Sequence, residues 1–187
     1  MKLPFIFKYK PNTLDEFDYE KNLKKMIKEY IKIDELNIIL LGPYGSGKTC
    51  LVECIINEYY CNNIVENDIL MINALKEQGI TFYRNEVKNF CQTLSSSNKK
   101  KTIIIDDIDT INDQCQQIFR NYIDKYHNNI NIIMTCSNIH KIIESLKSRV
   151  NIVKLDYMNK TIIDSIIENI IEKEEINITP NAKKSYF

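Results

Sequence analysis

The stretch Asn37-Ile-Ile-Leu-Leu-Gly-Pro-Tyr-Gly-Ser-Gly-Lys-Thr49 decides the fold. It opens with a nearly continuous apolar run, which is typical of a strand covered on both faces. Residues 42–49 fit the pattern GxxxxGK[ST], and residues 49–60 carry apolar side chains at helical spacing. A strand, a glycine-rich loop and a helix in this order predict a phosphate-binding loop within an α/β sheet.

Each part of this loop suits the binding of a nucleoside triphosphate. Glycines allow backbone N–H groups to curl around phosphate oxygens, and the start of the helix adds partial positive charge. Lys48 is predicted to neutralise the β- and γ-phosphates of ATP, and the hydroxyl of Thr49 to bind Mg²⁺. The predicted phosphate-contacting residues are Gly42, Pro43, Tyr44, Gly45, Ser46, Gly47, Lys48 and Thr49.

A second apolar run, of isoleucines at 103–105, ends in the adjacent carboxylates Asp106 and Asp107. This arrangement suits a Walker B motif, in which Asp106 holds Mg²⁺ through water. Asp107 then orients or activates the attacking water. Two acids at the end of a strand could also form a solvated turn or a helix cap.

The apolar patterning around these motifs predicts a repeated order of strands and helices. Further strands are predicted over residues 69–72 and 130–136. Amphipathic helices are predicted over residues 21–35, 81–94, 114–126 and 160–174. The alternation argues for a doubly wound α/β sheet.

The composition places the chain among ordinary globular proteins, with 44% hydrophobic and 27% charged residues. Lys+Arg and Asp+Glu both number 25, so a surface for nucleic acid must be a local patch. The six cysteines lack paired spacing, which predicts reduced thiols and no structural metal site. No apolar run suits a signal peptide or a membrane helix. We therefore expect no membrane partner and a non-secreted protein of the nucleus, the cytoplasm or a viral replication compartment.

With these motifs in place, the chain resembles the small subunits of replication factor C, the AAA+ ATPases that load sliding clamps. The resemblance extends over nearly the full length and rests on segments that match in order. The matching segments are Phe7–Pro11, Leu14–Phe17, Met71–Ala74 with Gly79, Ile80 and Arg84, Asp106–Asp109, Gln116–Arg120, Thr135–Asn138 and Ser148–Val150.

The resemblance implies a P-loop NTPase core with a parallel five-stranded sheet between helices, over residues 1–153. Residues 154–187 resemble the beginning of a small helical lid domain, truncated before the family's oligomerising collar. The implied function is ATP-driven loading of a sliding clamp onto primer-template DNA during replication. Implied partners are other clamp-loader subunits in a hetero-oligomeric ring, the clamp and the DNA.

The resemblance also carries roles to single residues. Tyr9 and Pro11 are implied to lie near the adenine, and a polar residue at sensor 1 is implied to contact the γ-phosphate or the water. Alignment leaves that position open between Ser137 and Asn138. Arg149 is implied to act in trans, reaching into the neighbouring subunit's ATP site as a finger.

Arg84 is implied to contact a template-strand phosphate, although a solvated helix face is the alternative for a neutral chain. The basic triplet Lys99–Lys101 fits solvated lysines better than a DNA contact. Asp107 stands where the family usually carries glutamate, so a hydrolysis-weak scaffold subunit is one alternative function. Another AAA+ replication ATPase, of origin or helicase-loader type, is a second. An Asp107→Glu variant distinguishes a disabled scaffold, which gains turnover, from an active subunit.

Overall fold

Strands and helices alternate through residues 4–74 and 79–176, the part of the chain that the computed structural model describes. The strands are β1 (Ile38–Leu41), β2 (Ile69–Asn73), β3 (Lys101–Asp106), β4 (Ile130–Cys136) and β5 (Asn151–Lys154). The helices are α1 (Phe5–Lys8), α2 (Lys21–Lys32), α3 (Lys48–Tyr59), α4 (Ile80–Gln92), α5 (Asp113–Tyr126), α6 (Glu144–Lys147) and α7 (Lys160–Glu174). The predicted order of elements is confirmed, and β5 is a strand that apolar patterning did not single out.

The strands form one sheet in the order β2-β3-β4-β1-β5, and every pairing is parallel. Helices cover both faces, so the predicted five-stranded parallel sheet between helices is confirmed. Ile38 and Leu40 of β1 pack with α2 and α3, whereas Ile39 faces the core shared with α4 and α5. Both faces of each central strand therefore need apolar side chains, which explains the continuous isoleucine-rich runs. Each buried isoleucine contributes about 1.5–3 kcal/mol to folding.

The register brings the ends of three strands to one edge, here called the carboxyl edge. Leu41, the last residue of β1, pairs with Cys136, the last of β4. Ile105 of β3 pairs with Met134 of β4. The loops that follow β1, β3 and β4 therefore lie side by side.

A buried polar network occupies the opposite edge, here called the amino edge. Asn131 of β4 accepts a hydrogen bond from the N–H of Leu36 at 3.1 Å and donates to the hydroxyl of Tyr59 at 3.2 Å. Tyr59 in turn donates to the carboxylate of Asp34 and accepts from the N–H of Lys100 at 3.0 Å. Burial and the bond to Asp34 raise the pKa of Tyr59. The network ties α3, β4 and two loops together.

The expectation that Lys99–Lys101 are solvated is wrong for Lys101, which is buried, and holds only in part for Lys99 and Lys100, which are half-buried. Lys101 is only 5% exposed, and its ammonium donates to the hydroxyl of Thr93 at 2.6 Å. The ammonium of Lys100 donates to the backbone O of Asp34 at 2.8 Å. The ammonium of Lys99 lies 4.9 Å from the ring centre of Tyr59. The triplet is part of the amino-edge packing.

Asp68, just before β2, anchors the serine-rich loop at the same edge. Its carboxylate accepts hydrogen bonds from the hydroxyl of Ser95 and the N–H of Ser96, both at 2.9 Å, and from the N–H of Ser97 at 3.1 Å. Burial alone would raise the pKa of Asp68, but these bonds lower it. The loop between α4 and β3 is thus wrapped around one carboxylate.

The last described helix, α7, has no buried residue. It lies against the N-terminal segment, where Glu174 pairs with Lys8 and accepts a hydrogen bond from the Tyr9 hydroxyl at 2.8 Å. The segment leading to it is held by Tyr19, whose hydroxyl accepts from the N–H of Asp156 at 2.5 Å. Within the described residues, no helix is long and apolar enough to cross a bilayer.

Candidate nucleotide-binding site

The glycine-rich loop follows β1 at the carboxyl edge. Gly45 and Gly47 hold φ angles of 78° and 86°, in the left-handed region that favours glycine. A side chain at Gly47 would also meet the ring of Phe17 at 3.1 Å. A Cβ at Gly42 would lie 2.6 Å from the backbone O of Leu155, so only glycine fits where the loop passes the segment leading to α7.

Lys48 begins α3 and is only 7% exposed. Its ammonium donates to the backbone O of Gly42 at 2.7 Å and to that of Pro43 at 2.9 Å. These contacts hold a positive charge within the loop. The hydroxyl of Ser46 is buried with no hydrogen-bond partner in the structure. A cation, an unpartnered hydroxyl and a loop of left-handed glycines at a helix start fit phosphate oxygens.

Asp106 is the last residue of β3 and Asp107 follows it, and both contact Thr135 of β4. The Thr135 hydroxyl donates to Oδ1 of Asp106 at 2.6 Å and accepts from the N–H of Asp107 at 2.9 Å. Asp107 adopts a φ of 54°, a strained left-handed conformation for a non-glycine residue. The neighbouring strand therefore holds the carboxylate of Asp106 and the backbone of Asp107.

Thr49 and Asp106 line one cavity of about 280 Å³ between α3 and the sheet. A hydroxyl and a carboxylate facing the same space are oxygen donors of the kind that Mg²⁺ prefers when nucleotide phosphates supply further ligands. Among the described residues there is no cluster of three or more metal-ligating side chains. The donor set thus fits a Mg²⁺ that is bound together with a nucleotide.

Burial, two negative charges and one positive charge determine the pKa of Asp107. Burial, followed by the charges of Asp106 and Asp109, raises the pKa of the Asp107 carboxyl, whereas Lys48 lowers it. A carboxylate with a raised pKa is a better proton acceptor at neutral pH than an ordinary exposed aspartate.

Asp109 organises the loop after β4, where sensor 1 is predicted. Its Oδ2 accepts from the N–H of Ser137 at 3.3 Å and from the N–H of Asn138 at 3.0 Å. The side-chain oxygen of Asn138 accepts from the N–H of His140 at 3.0 Å and so caps the following turn. The Ser137 hydroxyl is buried with no hydrogen-bond partner in the structure. Of the two candidates, Ser137 keeps its polar side-chain atom uncommitted.

Tyr9 and Pro11, predicted to lie near the adenine, line a cleft of about 500 Å³. Its other walls include Phe17, which touches the phosphate loop at Gly47, and Ile170 of α7. The cleft therefore lies between Phe17, beside the phosphate loop, and α7. The hydroxyl of Tyr9 is hydrogen-bonded to Glu174 of that helix.

Arg149 lies away from this site. It lies two residues before the start of β5, whose first residue, Asn151, pairs with Ile38 at the start of β1. Arg149 therefore lies toward the amino edge, whereas the phosphate loop follows the end of β1. Its Nε donates to both carboxylate oxygens of Asp124, at 2.8 and 3.0 Å.

Arg84 lies on the exposed surface of α4, and the Tyr122 hydroxyl donates to its backbone O at 3.4 Å. Its guanidinium forms no ion pair with any other described residue.

Sequence reasoning missed two members of the site, Thr135 and Asp109. Both lie within segments that match the family, but the motifs assign a role to neither residue. The signal was present for Thr135, because a threonine in an apolar central strand needs a partner for its hydroxyl. No local pattern indicates that Asp109 reaches the loop after β4.

Comparison with known proteins agrees with this geometry. Residues 38–155, more than half of the chain, match the family described as "ATPase family associated with various cellular activities (AAA)". Replication factor C subunit 3 of Saccharomyces cerevisiae is 29% identical over 185 residues, covering 98% of this chain and 54% of that protein. The putative replication factor C small subunit of Acanthamoeba polyphaga mimivirus is 29% identical over 175 residues, covering 93% and 54%. The chain spans about half the length of these relatives.

Solved structures share the fold at low sequence identity. A RuvB variant from Thermotoga maritima superposes with a TM-score of 0.73 at 19% identity, covering 91% of this chain and 56% of that one. A protein related to the γ subunit of DNA polymerase III, also from Thermotoga maritima, gives a TM-score of 0.64 at 19% identity, covering 81% and 52%.

Proposed function

Because the chain belongs to the AAA family, the ATPase family associated with various cellular activities, we propose that it binds and hydrolyses ATP as a clamp-loader subunit of the replication factor C type. The observation that carries the proposal is the meeting of Lys48, Thr49, Asp106 and Asp107 at the carboxyl edge of the sheet. The names of the curated relatives favour clamp loading over the origin or helicase-loader alternative.

In the proposed reaction the loop at residues 42–49 cradles the phosphates of ATP, and Lys48 exchanges its backbone acceptors for phosphate oxygens. Thr49 and Asp106 would hold Mg²⁺, with Asp106 acting through water. A bound Mg²⁺ neutralises charge that develops on the transferred phosphoryl group.

Asp107 is proposed to orient the attacking water and to accept its proton. The raised pKa supports the role of acceptor, and the contact of its N–H with Thr135 supports a fixed position. Ser137 is proposed as the sensor 1 residue, because its hydroxyl remains unpartnered while the side chain of Asn138 caps a turn.

Residues 1–153 are proposed as the nucleotide-binding core and residues 154–187 as the start of a lid. The end of β5 at Lys154 and the absence of buried residues in α7 support this boundary. The adenine is proposed to lie in the cleft beside Tyr9 and Pro11. Contacts from Glu174 to the N-terminal segment would then form part of the wall over the base.

Arg149 is proposed to serve the ATP site of a neighbouring subunit in a ring. Its place toward the amino edge supports action in trans, since its own phosphate loop lies at the carboxyl edge. In the assembled ring Arg84 is proposed to contact a DNA phosphate, and the ring is proposed to open a sliding clamp wherever DNA is replicated: the nucleus, the cytoplasm or a viral compartment.

The proposal is tested by measuring Mg²⁺-ATP binding and phosphate release by the purified chain, alone and with candidate ring partners. Lys48→Ala is expected to abolish binding, whereas Arg149→Ala is expected to bind ATP normally and to lose only the turnover stimulated by neighbours. A mixture of the two variants gives a sharper readout in any assembly that contains both. The Lys48→Ala subunit keeps Arg149, which can complete the ATP site of a neighbouring Arg149→Ala subunit, so turnover is expected to return in the mixture. A wild-type chain that binds no Mg²⁺-ATP contradicts the proposal.

A further inference from the structure

Thr135 is a buried polar residue within an otherwise apolar part of β4. It is 1% exposed and pairs in the sheet with Leu40 of β1, and its preceding neighbours Ile133 and Met134 are completely buried. A hydroxyl in such surroundings costs free energy unless it is hydrogen-bonded. Packing alone would favour valine, which has nearly the same shape.

Both hydrogen bonds of this hydroxyl go to the predicted Walker B pair. Its single proton points to Oδ1 of Asp106 at 2.6 Å, so its lone pair accepts the N–H of Asp107 at 2.9 Å. The first bond fixes the carboxylate that faces the cavity shared with Thr49. The second holds the backbone of Asp107 in its left-handed conformation.

We propose that Thr135 is a positioning residue for ATP hydrolysis, whose one hydroxyl holds the carboxylate of Asp106 that faces the cavity and the backbone from which the side chain of Asp107 extends. This inference rests on the proposed function. Thr135 does not contact the reacting atoms, and it acts only through the two aspartates. Loss of the hydroxyl is therefore expected to reduce the increase in ATP affinity that Mg²⁺ produces, and to leave the contacts of the phosphate loop unchanged.

Two substitutions separate positioning from packing. Thr135→Val keeps the shape and removes the hydroxyl, whereas Thr135→Ser keeps the hydroxyl and removes the methyl group. Each variant is titrated with a fluorescent ATP analogue, once with Mg²⁺ and once with EDTA. The readout is the ratio of the two dissociation constants, accompanied by the urea midpoint of unfolding.

Thr135→Val is expected to reduce the Mg²⁺ enhancement of affinity by about tenfold, in line with the loss of a hydrogen bond to a charged group. Its affinity in EDTA is expected to match the wild type. Thr135→Ser is expected to keep the enhancement within about twofold of the wild type, because the hydroxyl remains. Where Thr135→Val fails to fold, Thr135→Ala is the second hydroxyl-free variant, with the same expected loss.

The inference is overturned by a folded Thr135→Val with the Mg²⁺ enhancement of the wild type, or by an equal loss in Thr135→Ser, which would indicate packing. These results differ from failure of the proposed function. In that case the wild-type chain itself shows no Mg²⁺-dependent binding of the analogue, and the inference falls with the function.

Discussion

Two groups of buried polar side chains, one at each edge of the sheet, differ in their hydrogen bonding. At the amino edge Asn131 and Tyr59 satisfy each other and the surrounding backbone, with partners from four segments of the chain. At the carboxyl edge the hydroxyls of Ser46 and Ser137 are buried with no hydrogen-bond partner in the structure. Hydrogen-bonded polar groups stabilise a fold, whereas buried polar groups without a partner are typical of sites that bind a ligand.

This contrast indicates that the two ends of β4 have different roles, one in stability and the other in ligand binding. β4 carries Asn131 at its start and Thr135 near its end, four residues or about 13 Å apart at the usual rise of a strand. Substitutions at the first end are expected to change stability, and those at the second to change ligand binding. The predictions below test this division, from the largest effect to the smallest.

Asn131→Ala is expected to cost about 3 kcal/mol of unfolding free energy, because it leaves the N–H of Leu36 and the hydroxyl of Tyr59 without a buried partner. Equilibrium unfolding in urea measures the loss. Asn151→Ala, at an exposed position of β5, is the matched control and is expected to stay within about 0.5 kcal/mol. Equal stability of the two variants would contradict the prediction that the amino-edge network stabilises the fold.

Lys48→Met is expected to weaken ATP binding by at least about 30-fold, because charge-assisted hydrogen bonds to phosphate are lost. Its unfolding free energy is expected to change little, since the ammonium bonds only to carbonyls of its own loop. Isothermal titration and urea unfolding give the two numbers. Lys32→Met, at an exposed lysine, controls for the loss of one charge. A large fall in stability for Lys48→Met would contradict the assignment of ligand binding, and not stability, to the carboxyl edge.

Two aspartates at opposite edges predict opposite pH dependence. Hydrogen bonds lower the pKa of Asp68, so its stabilisation is full above the unfolded pKa near 3.9 and is lost as the pH falls through the folded value. Burial and neighbouring charge raise the pKa of Asp107, so its ionisation destabilises the fold, and this cost disappears as the pH falls through the raised value.

Asp68→Asn is therefore expected to be less stable than the wild type at neutral pH, with the deficit shrinking below about pH 4. Asp107→Asn is expected to be at least as stable as the wild type at neutral pH, with any advantage shrinking as the pH falls toward 4. Urea midpoints between about pH 3.5 and pH 7 check both signs. The same sign for both variants would refute the assignment of opposite shifts.

Ser137→Ala has the smallest expected effect on the fold, within about 0.5 kcal/mol, because no protein hydrogen bond is lost. Its effect on turnover is expected to exceed that of Asn138→Ala, whose side chain caps a turn. Phosphate release under saturating Mg²⁺-ATP compares the two. A larger loss of turnover in Asn138→Ala would reverse the proposed identity of sensor 1.

The sequence predicted the phosphate loop and the acid pair because each is a local pattern with a fixed spacing around a strand end. It could not predict that Thr135 reaches Asp106, because that contact depends on β4 lying beside β3 in the sheet. The proposed choice between Ser137 and Asn138 also depends on geometry, because alignment left the sensor 1 position open between them. The side chain of Asn138 caps a turn, whereas the buried hydroxyl of Ser137 has no partner in the structure.

The prediction that the basic triplet Lys99–Lys101 is solvated was wrong at Lys101 for a related reason. Charge runs are usually solvated, but Lys101 opens a central strand, and Phe90 and Thr93 of the preceding segment cover it. The sequence predicts that Lys101 lies at the start of β3, but it does not predict that Phe90 and Thr93 pack over it. The polar network at the amino edge could not be predicted either, because Asp34, Tyr59 and Asn131 are far apart along the chain.

The close approach of Gly42 to Leu155 has a mechanical consequence. At this point the glycine-rich loop passes close to the backbone of the connector to α7, and the gap would not hold even a methyl group. Leu155 also donates its N–H to the backbone O of Leu41 at 2.7 Å, so the connector is hydrogen-bonded immediately before the loop begins. The connector that leads to the 15 residues of α7 therefore has no room to move towards the loop, and a loop that changes position on binding a ligand would have to move the connector with it.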